Sequence, residues 1–317
     1  MVAYSDQTAG IKQVNAECQH GKYLPVSGKK PIVWFIRVQP DRYELQQGEQ
    51  ANKWKSRLPL SEYCRVLSYR IHADRVRCLV GYLAVRLLTA KMTEIKPVDQ
   101  PWSRTPYGKL SWGFNKAGQQ QINLDSAEEE EDTLDPDDVK HSWHVNLSHS
   151  GDWIGVIGHI EPVGIDIEER GRISYDIAER WFHPAEAERI QQALDQQAAL
   201  GDWWTLKESY VKWDGRGLSY GLNQFAILPQ QQVQAVPLEL QTRMDVEPFL
   251  WREAGCFKGD QLEQDERVKL QYGSIAANYS ASICMSSNSP SPFVCMLTDE
   301  MLIEMWEEYM TQERGRL

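Results

Sequence analysis

The sequence predicts an α+β protein of two similar lobes, a pseudo-dimer in which each lobe packs a small antiparallel sheet against a long helix. Two observations support this class. Each half contains one long helical segment, over residues 58–93 and 201–217, together with several short β-branched or aromatic runs. The length of 317 residues suits one large domain or two ordinary ones. Helices and strands that recur in each half predict two α+β units meeting near residue 160.

The first half begins with a polar, aperiodic segment over residues 1–30, which predicts a flexible arm. The run KPIVWFIRV over 30–38 has the composition of a strand. The helical segment that follows carries apolar residues at 3/4 spacing, namely Val76, Leu79, Val80, Leu83, Leu87 and Leu88. The prolines and glycines of 97–114 predict loops and turns.

A Gln-rich and then acidic stretch over 115–142 predicts a mobile insertion. Residues 144–159 again have the composition of a folded segment, which suggests a loop and then a short strand at 153–157. The N-terminal lobe is therefore expected to span residues 31–159, with the acidic insertion inside it.

The second lobe is expected over residues 160–317 and would carry the metal site discussed below. Residues 174–199 suggest helix interrupted at His183–Pro184, and the helix over 201–217 ends in a Gly-rich stop. The remaining predicted elements are strands near 224–228, 236–241, 269–272, 277–285 and 293–296 and a closing helix over 299–311.

Composition excludes several function classes. The net charge of −11 argues against general nucleic-acid binding. No run approaches the roughly 20 apolar residues of a membrane span, and the N-terminal residues lack the apolar core of a secretory signal. The six cysteines are scattered without a CxxC pair, which predicts thiols in a reducing, cytoplasmic compartment.

The charge is unevenly distributed along the chain. Residues 51–110 contain twelve Lys or Arg and four Asp or Glu, a local balance of +8, whereas 126–138 contain eight acids and no base. A basic segment in an acidic protein suits an anionic ligand or partner. Basic side chains that simply cover a helix surface would produce the same pattern.

Two carboxylates share one face of a predicted strand. In VGIDIE, Asp166 and Glu168 are two residues apart, while Val163, Ile165 and Ile167 alternate toward the core. Parallel carboxylates repel unless a cation lies between them, and Mg²⁺ prefers such oxygen ligands. The alternative is an edge strand with a solvated acidic face.

The helix over 201–217 places Glu208 and Lys212 at i and i+4, on one face. Glu208 is a candidate third carboxylate near the metal, and Lys212 a candidate proton donor or phosphate contact. An ordinary surface ion pair is the alternative.

The stretch NLSHSGDW predicts a compact polar turn before a strand. Ser148 and His149 are candidates to hold a phosphate or leaving-group oxygen, although His149 could equally be a structural histidine. The spacing of His141, His144 and His149 matches no zinc pattern.

Taken together, these motifs resemble the 4′-phosphopantetheinyl transferases of the surfactin-synthetase-activator type. The family's turn, strand and helix motifs stand here as NLSHS, VGIDIE and WTLKESYVK, and Glu168 and Glu208 are forty residues apart, as in the family. HADRVRCLVGYLAVRLL resembles its arginine-bearing helix for coenzyme A, and RTPYGKL resembles its Y-G-K-P turn. The resemblance covers roughly residues 32–300 and implies the fold of that family.

The resemblance implies a Mg²⁺-dependent transfer of the phosphopantetheine arm of coenzyme A to a serine of an acyl- or peptidyl-carrier protein, releasing adenosine 3′,5′-bisphosphate. By carry-over, Asp166, Glu168 and Glu208 would hold Mg²⁺. Glu208 would also take the serine proton, and Lys212 would stabilise or protonate the departing phosphate. The implied coenzyme A contacts are Arg77, Lys109, Ser148 and His149, with Arg77 and His149 at the 3′-phosphate and Lys207 at the pyrophosphate. Glu186 matches an acid that the family places near the reacting centre.

The chain departs from the family pattern in three places. Leu110 replaces the proline of the Y-G-K-P turn, and the insertion before Asn146 is longer than in compact bacterial members. Where some members have basic residues, this chain has Ser61 and Cys64. Arg57, Arg65 and Arg70 lie nearby, and the sequence assigns none of them as a replacement.

The expected partner is an acidic carrier protein, which would dock on basic residues of the 51–110 segment of a monomeric enzyme. No nucleic-acid or membrane partner is expected. Two alternatives use the same residues: a Mg²⁺-dependent phosphohydrolase acting on coenzyme A or a nucleotide, and a coenzyme A-binding module without turnover. The full set of carboxylates and Lys212 counts against a pure binder, which needs no base.

Overall fold

The computed structural model describes residues 30–46, 48–93, 95–105, 107–112, 143–229, 239–242, 251–259 and 261–314. The predicted N-terminal arm, apart from Lys30, and the predicted insertion over 115–142 lie outside these residues. Within the described part of the chain, no helix is both long and apolar enough to cross a membrane. The five cysteines in that part are thiols, as their spacing predicts.

The described residues alternate between short strands and helices. The strands are β1 (Ile32–Arg37), β2 (Trp102–Arg104), β3 (Leu110–Trp112), β4 (His144–Ser150), β5 (Trp153–His159), β6 (Val163–Glu169), β7 (Phe225–Pro229), β8 (Glu239–Thr242), β9 (Arg252–Lys258), β10 (Glu263–Gln264), β11 (Val268–Ala276), β12 (Tyr279–Ser286) and β13 (Phe293–Thr298). The helices are α1 (Gly48–Lys55), α2 (Leu60–Ser68), α3 (His72–Thr93), α4 (Tyr175–Trp181), α5 (Pro184–Gln191), α6 (Gln196–Asp214) and α7 (Asp299–Arg314). The predicted α+β class is confirmed.

The first sheet has the strand order β4-β5-β1-β13-β8. Its β4–β5 and β5–β1 pairs are antiparallel, whereas β1–β13 and β13–β8 are parallel. The expectation that each sheet is antiparallel is therefore wrong for this one. The reason is topological, because its last two strands return from the far end of the chain rather than through hairpins.

The second sheet has the order β10-β9-β11-β12-β6, with β7 also paired to β9. All of its pairs are antiparallel, as predicted. The strand β6, which carries VGIDIE, pairs only with β12 within this sheet and lies at its edge.

Three apolar clusters hold these layers together. One lies between the first sheet and the long helix α3, with α7 and Trp306 beside it. A second joins the two sheets through residues such as Phe35 of β1 and Ile165 and Ile167 of β6. The third covers the outer face of the second sheet with α6. The prediction that Val163, Ile165 and Ile167 point into the core is confirmed, since all three are fully buried.

The end of the chain returns to the first sheet. The strand β13 pairs with β1 over all six residues, Ile32 opposite Phe293 through Arg37 opposite Thr298. Sheet membership changes between β5 and β6, near residue 160, but the first sheet also takes β8 and β13 from beyond that point, and the division of the chain into two similar lobes stays a prediction.

Several local predictions differ from the structure. The segment 97–114, predicted as loops, contains the β2–β3 hairpin, in which Trp102 and Trp112 pair edge to face. NLSHS, predicted as a turn, lies within β4 of the β4–β5 hairpin. The helix predicted from residue 201 begins at Gln196, where the Asp195 side chain accepts a hydrogen bond from the Ala198 amide. In each case tertiary pairing or capping overrides the local polarity.

Candidate active site

A ladder of polar side chains joins the two sheets at their edges. The side chains of alternate residues of β4 point toward β6 and accept hydrogen bonds from its outward-facing backbone amides. Asn146 accepts from the Ile165 amide at 2.9 Å, Ser148 from the Ile167 amide at 3.4 Å and Ser150 from the Glu169 amide at 3.0 Å. A sheet edge normally exposes such amides to water. Here the side chains of NLSHS accept the hydrogen bonds that a neighbouring strand would otherwise accept. These bonds set the position of VGIDIE relative to the first sheet.

Helix α6 packs unusually close to β6 at Gly164. A Cβ atom at this position would clash with the carbonyl oxygen of Ser209 and lie 2.6 Å from the Trp213 nitrogen. Residues 164, 166 and 168 share one face of the strand, so this contact turns Asp166 and Glu168 toward the helix that carries Glu208 and Lys212. The glycine of VGIDIE thus brings the two motifs together.

Lys212 and Asp166 form the centre of the site. The Lys212 ammonium donates to Asp166 Oδ1 at 2.5 Å, to Ser148 Oγ at 3.1 Å and to the Ile165 carbonyl at 3.3 Å. Ser148 in turn donates to the same Asp166 oxygen at 2.7 Å. Asp166 is only 3% exposed, so the reading of a solvated acidic edge does not hold for this residue.

The other two carboxylates are held in an environment that disfavours their charge. Burial, followed by the charge of Asp166, raises the pKa of Glu168 to about 7, although Ser150 donates a hydrogen bond to it at 3.1 Å. Burial and then Asp166 likewise raise the pKa of Glu208. Three acids that repel one another while facing a cleft indicate a place where positive charge is to be bound.

These groups open onto a cleft of about 450 Å³. The predicted site residues that line it are Ser148, His149, Asp166, Glu168, Glu208 and Lys212. The structure thus brings together six residues that the sequence distributes over three separate motifs. A cleft of this volume accommodates part or all of a nucleotide-sized ligand.

The described residues fit a Mg²⁺ ion that shares its coordination with a ligand, rather than a preassembled metal cage. The second oxygen of Asp166, Oδ2, is buried without a hydrogen-bond partner, an arrangement that costs free energy unless a cation or water fills it. Among the described residues, no three His, Cys, Asp or Glu side chains already converge at metal-binding distances. Mg²⁺ commonly takes one or two carboxylates and completes its shell with waters and substrate phosphates.

Arg77 and Lys109 do not line this cleft. Arg77 donates to the Gly151 carbonyl at 2.9 Å and to Asp74 at 2.6 Å. It lies near His149, whose pKa is lowered first by burial and then by the Arg77 charge. Lys109 donates to the Trp213 carbonyl at the end of α6 at 3.1 Å, and burial lowers its pKa to about 8. Both side chains are thus engaged with the protein backbone next to the site.

Lys207 and Glu186 lie inside the protein, away from the cleft. Both side chains are completely buried and pair at 2.8 Å. Lys207 also donates to the carbonyls of Leu222 and Phe225, and Glu186 accepts from the amides of His183 and Ile227. The expectations that Lys207 reaches a pyrophosphate and that Glu186 lies near the reacting centre therefore do not fit this arrangement. Their opposite charges stabilise each other between α5, α6 and β7.

Some residues of the cleft escaped sequence reasoning. Arg104 lies on β2 and lines the cleft together with Arg65, one of the arginines to which the sequence assigns no role. Ser150, which supports Glu168, was not singled out either. The signals were weak, because Arg104 is one basic residue in a proline-rich stretch. Ser150 has a role only when β4 lies beside β6.

A family model described as the 4′-phosphopantetheinyl transferase superfamily matches residues 162–255. This range contains β6 and α6 and therefore Asp166, Glu168, Glu208 and Lys212. The match begins at the strand on which the site is built.

Curated relatives extend the similarity in both directions. The chain is 38% identical to the 4′-phosphopantetheinyl transferase Sfp of Bacillus subtilis strain 168 over 181 residues, which is 56% of this chain and 68% of the relative. It is 45% identical to the transferase psf-1 of Bacillus pumilus over 98 residues, 30% of this chain and 41% of the relative. It is 32% identical to another 4′-phosphopantetheinyl transferase of Bacillus subtilis over 168 residues, 52% of this chain and 63% of the relative.

The matched part of the chain thus spans 41% and 63% of two of these relatives and 68% of the third. All three carry transferase names, and none supports the phosphohydrolase alternative. With its site motifs inside the matched region, the chain belongs to the 4′-phosphopantetheinyl transferase superfamily and is similar to its Sfp-type members.

Proposed function

We propose that this protein transfers the phosphopantetheine arm of coenzyme A to a serine of an apo acyl- or peptidyl-carrier protein. The observation that carries the proposal is the cleft in which Asp166, Glu168 and Glu208 face Lys212, with Asp166 Oδ2 buried and unpartnered. Three carboxylates and one ammonium group around a cleft suit a reaction in which phosphoryl charge must be neutralised and a hydroxyl proton removed.

Each residue of the cleft has a role in this scheme. Lys212, already held by Asp166 and Ser148, stabilises the negative charge that develops on the departing phosphate. Glu208 takes the proton of the acceptor serine, a role that fits a carboxylate lining the cleft. Ser148 and His149 contact coenzyme A along the wall that β4 forms.

Mg²⁺ would be held by Asp166, Glu168 and Glu208, and when bound it would neutralise charge on the pyrophosphate. The unpartnered Asp166 oxygen supports this assignment. The raised pKa values of the other two acids support it too, because a cation would remove their mutual repulsion.

The acceptor is expected to be an acidic carrier protein, which would dock on basic side chains of the 51–110 segment of a cytoplasmic, monomeric enzyme. Not every base of that segment is available. Arg86 is buried in a two-point pair with Glu62 at 2.8 and 2.9 Å, and Arg57 pairs with Glu307. Exposed residues such as Lys55 and Arg70 remain to face a partner.

The test is to incubate the purified protein with coenzyme A, Mg²⁺ and an apo carrier protein and to measure the intact mass of the carrier. The expected result is a gain of one phosphopantetheine arm on the acceptor serine, with release of adenosine 3′,5′-bisphosphate. Replacing the acceptor serine by alanine in the carrier provides the control. Cleavage of coenzyme A without any gain in carrier mass would contradict the proposal and favour hydrolysis.

The variant Asp166→Ala should abolish transfer and also the thermal stabilisation that coenzyme A with Mg²⁺ confers on the protein. If the variant keeps both transfer activity and this thermal stabilisation, Asp166 is not a required residue of the site.

A further inference from the structure

The carboxylate of Asp166 is held from one side only. The strand β6 lies between β4, which reaches it through side chains, and β12, which pairs with it directly. From the β4 side, Ser148 donates to Asp166 Oδ1 at 2.7 Å, and Lys212 donates to the same oxygen. The other oxygen, Oδ2, is buried and accepts no hydrogen bond from any described residue. A group on the β12 side is therefore needed to fix the carboxylate at both oxygens.

Ser282 of β12 is the residue directly opposite Asp166. The two residues are register partners in the antiparallel β6–β12 pair. Directly opposite residues of such a pair point to the same face of the sheet, with their Cβ atoms about 4.5–5.5 Å apart. Ser282 is 0% exposed, and within the described part of the chain its hydroxyl has no hydrogen-bond partner either. Two buried polar groups that lack partners therefore share one cross-strand position.

The neighbouring hydroxyl groups are already engaged. Two residues before Ser282 on β12, Ser280 donates to the Asp202 carboxylate at 2.6 Å. On α6, Thr205 and Ser209 each donate to a carbonyl of their own helix at 3.0 Å. A buried hydroxyl without a partner costs free energy, so its presence calls for an explanation. Ser282 differs from these three residues because no structural bond accounts for its hydroxyl.

We infer that Ser282 is a positioning residue for Asp166, whose Oδ2 accepts a hydrogen bond from the Ser282 hydroxyl directly, after rotation about χ1, or through one buried water. This inference rests on the proposed function, in which Asp166 holds Mg²⁺. Each carboxylate oxygen accepts in two directions, so a bond from Ser282 leaves Oδ2 able to bind a cation. Hydrogen bonds to a metal ligand orient it, and losing one typically weakens metal binding by about 10- to 100-fold.

The test measures metal affinity in Ser282→Ala, which removes one oxygen atom and leaves the Cβ in place. Mg²⁺ is titrated by calorimetry into the protein saturated with coenzyme A, and a titration into coenzyme A alone is subtracted. The Kd for Mg²⁺ should rise about 10-fold or more. The Mg²⁺ concentration that gives half-maximal transfer should rise with it. The kcat at saturating Mg²⁺ should change little, because Ser282 does not line the cleft.

The matched control is Ser209→Ala. Ser209 is also fully buried, at the contact of α6 with β6, but its hydroxyl donates to the Leu206 carbonyl and not to a carboxylate. This variant should keep the wild-type Kd for Mg²⁺ even where it lowers the urea midpoint. The affinity for Mg²⁺ thus separates a positioning role from a merely structural one.

Urea unfolding without Mg²⁺ gives an independent readout. If the Ser282 hydroxyl donates to Asp166 Oδ2, Ser282→Ala leaves that oxygen without its donor and should lower the urea midpoint. If the hydroxyl stays without a partner, removing it should leave the midpoint unchanged or raise it, which would overturn the inference.

The outcomes also separate this inference from the proposed function. If the wild-type protein binds Mg²⁺ and Ser282→Ala binds it equally tightly, the positioning role is overturned while the transferase proposal stands. If the wild-type protein binds no Mg²⁺ beyond the amount taken up by coenzyme A, the proposed metal site is wrong and this inference falls with it. A weakened Kd in Ser282→Ala together with a wild-type Kd in Ser209→Ala supports the inference.

Discussion

Lys212 contacts Asp166 Oδ1, Ser148 Oγ and the Ile165 carbonyl, so its ammonium group lies in one fixed position at the cleft. Side chains alternate every two residues along a strand, so Asp166 and Glu168 are expected on one face of β6. They repeat every 3.6 residues along a helix, so Glu208 and Lys212 are expected on one face of α6. What residue spacing did not reveal is that the Ser148 hydroxyl contacts both the lysine and the acid.

Replacing Lys212 by alanine should lower kcat by roughly 100-fold while changing the Kd for coenzyme A much less, because charge on the departing phosphate develops only in the transition state. Single-turnover transfer and calorimetric binding measure the two effects separately. A larger loss in binding than in kcat would make Lys212 a binding residue only.

The pH dependence of stability should report on Glu168. Its folded pKa of about 7 lies above the unfolded value of roughly 4.3, so the native state holds a proton that the unfolded chain releases. The contribution of Glu168 to the free energy of unfolding is fully present below the pKa of the unfolded chain and is lost as the pH rises toward about 7. Urea unfolding of Glu168→Gln should therefore show a flatter profile between roughly pH 5 and pH 8 than the wild-type protein.

The same variant should also lose part of the stabilisation by Mg²⁺ at the upper end of this pH range, where the wild-type carboxylate is ionised and can bind a cation. Parallel urea profiles for the two proteins would show that Glu168 does not titrate in this way.

At the scale of elements, the contact between β6 and α6 depends on the missing side chain of Gly164. Gly164→Ala should push the helix away from the strand, destabilise the protein by about 3 kcal/mol or more and reduce transfer. Chemical denaturation and the carrier assay measure both. Gly158→Ala is the matched control, because the nearest atom to its Cβ would be the end of the flexible Leu88 side chain at 3.1 Å, with Val145 in ordinary contact at 3.6 Å and no backbone atom in the way. Equal effects of the two substitutions would show that the close approach at Gly164 is not special.

The buried pair of Glu186 and Lys207 joins α5 and α6 to β7. Either Glu186→Gln or Lys207→Met alone should cost about 3–5 kcal/mol, because each leaves a partner buried without its counter-charge. The double variant should regain part of this loss. Unfolding free energies test the coupling directly.

The same variants decide between structural and catalytic roles for this pair. Because neither residue reaches the cleft, kcat per folded molecule should be nearly unchanged in Glu186→Gln at a temperature where it remains folded. A selective fall in kcat would restore the catalytic role that the resemblance implied for Glu186.

At the scale of the whole molecule, charge distribution should control association with the carrier protein. Reversing charge at the exposed Lys55 and Arg70 should raise the KM for the carrier several-fold and reduce its dependence on salt. The Kd for coenzyme A should not change, since neither residue lines the cleft. An unchanged KM for the carrier would exclude this surface from docking.

The sequence by itself determined the α+β class, the family and six residues that the fold brings together at one cleft. Local periodicity and the motifs VGIDIE and WTLKESYVK are properties of residues that are neighbours in the chain, so they can be recognised without the fold. Only the tertiary structure decided the mixed first sheet, the burial of Glu186 with Lys207 and the position of Arg65 and Arg104 along the wall of one cleft. These features arise from contacts between segments far apart in the chain, and no local pattern encodes which distant segments will pack together.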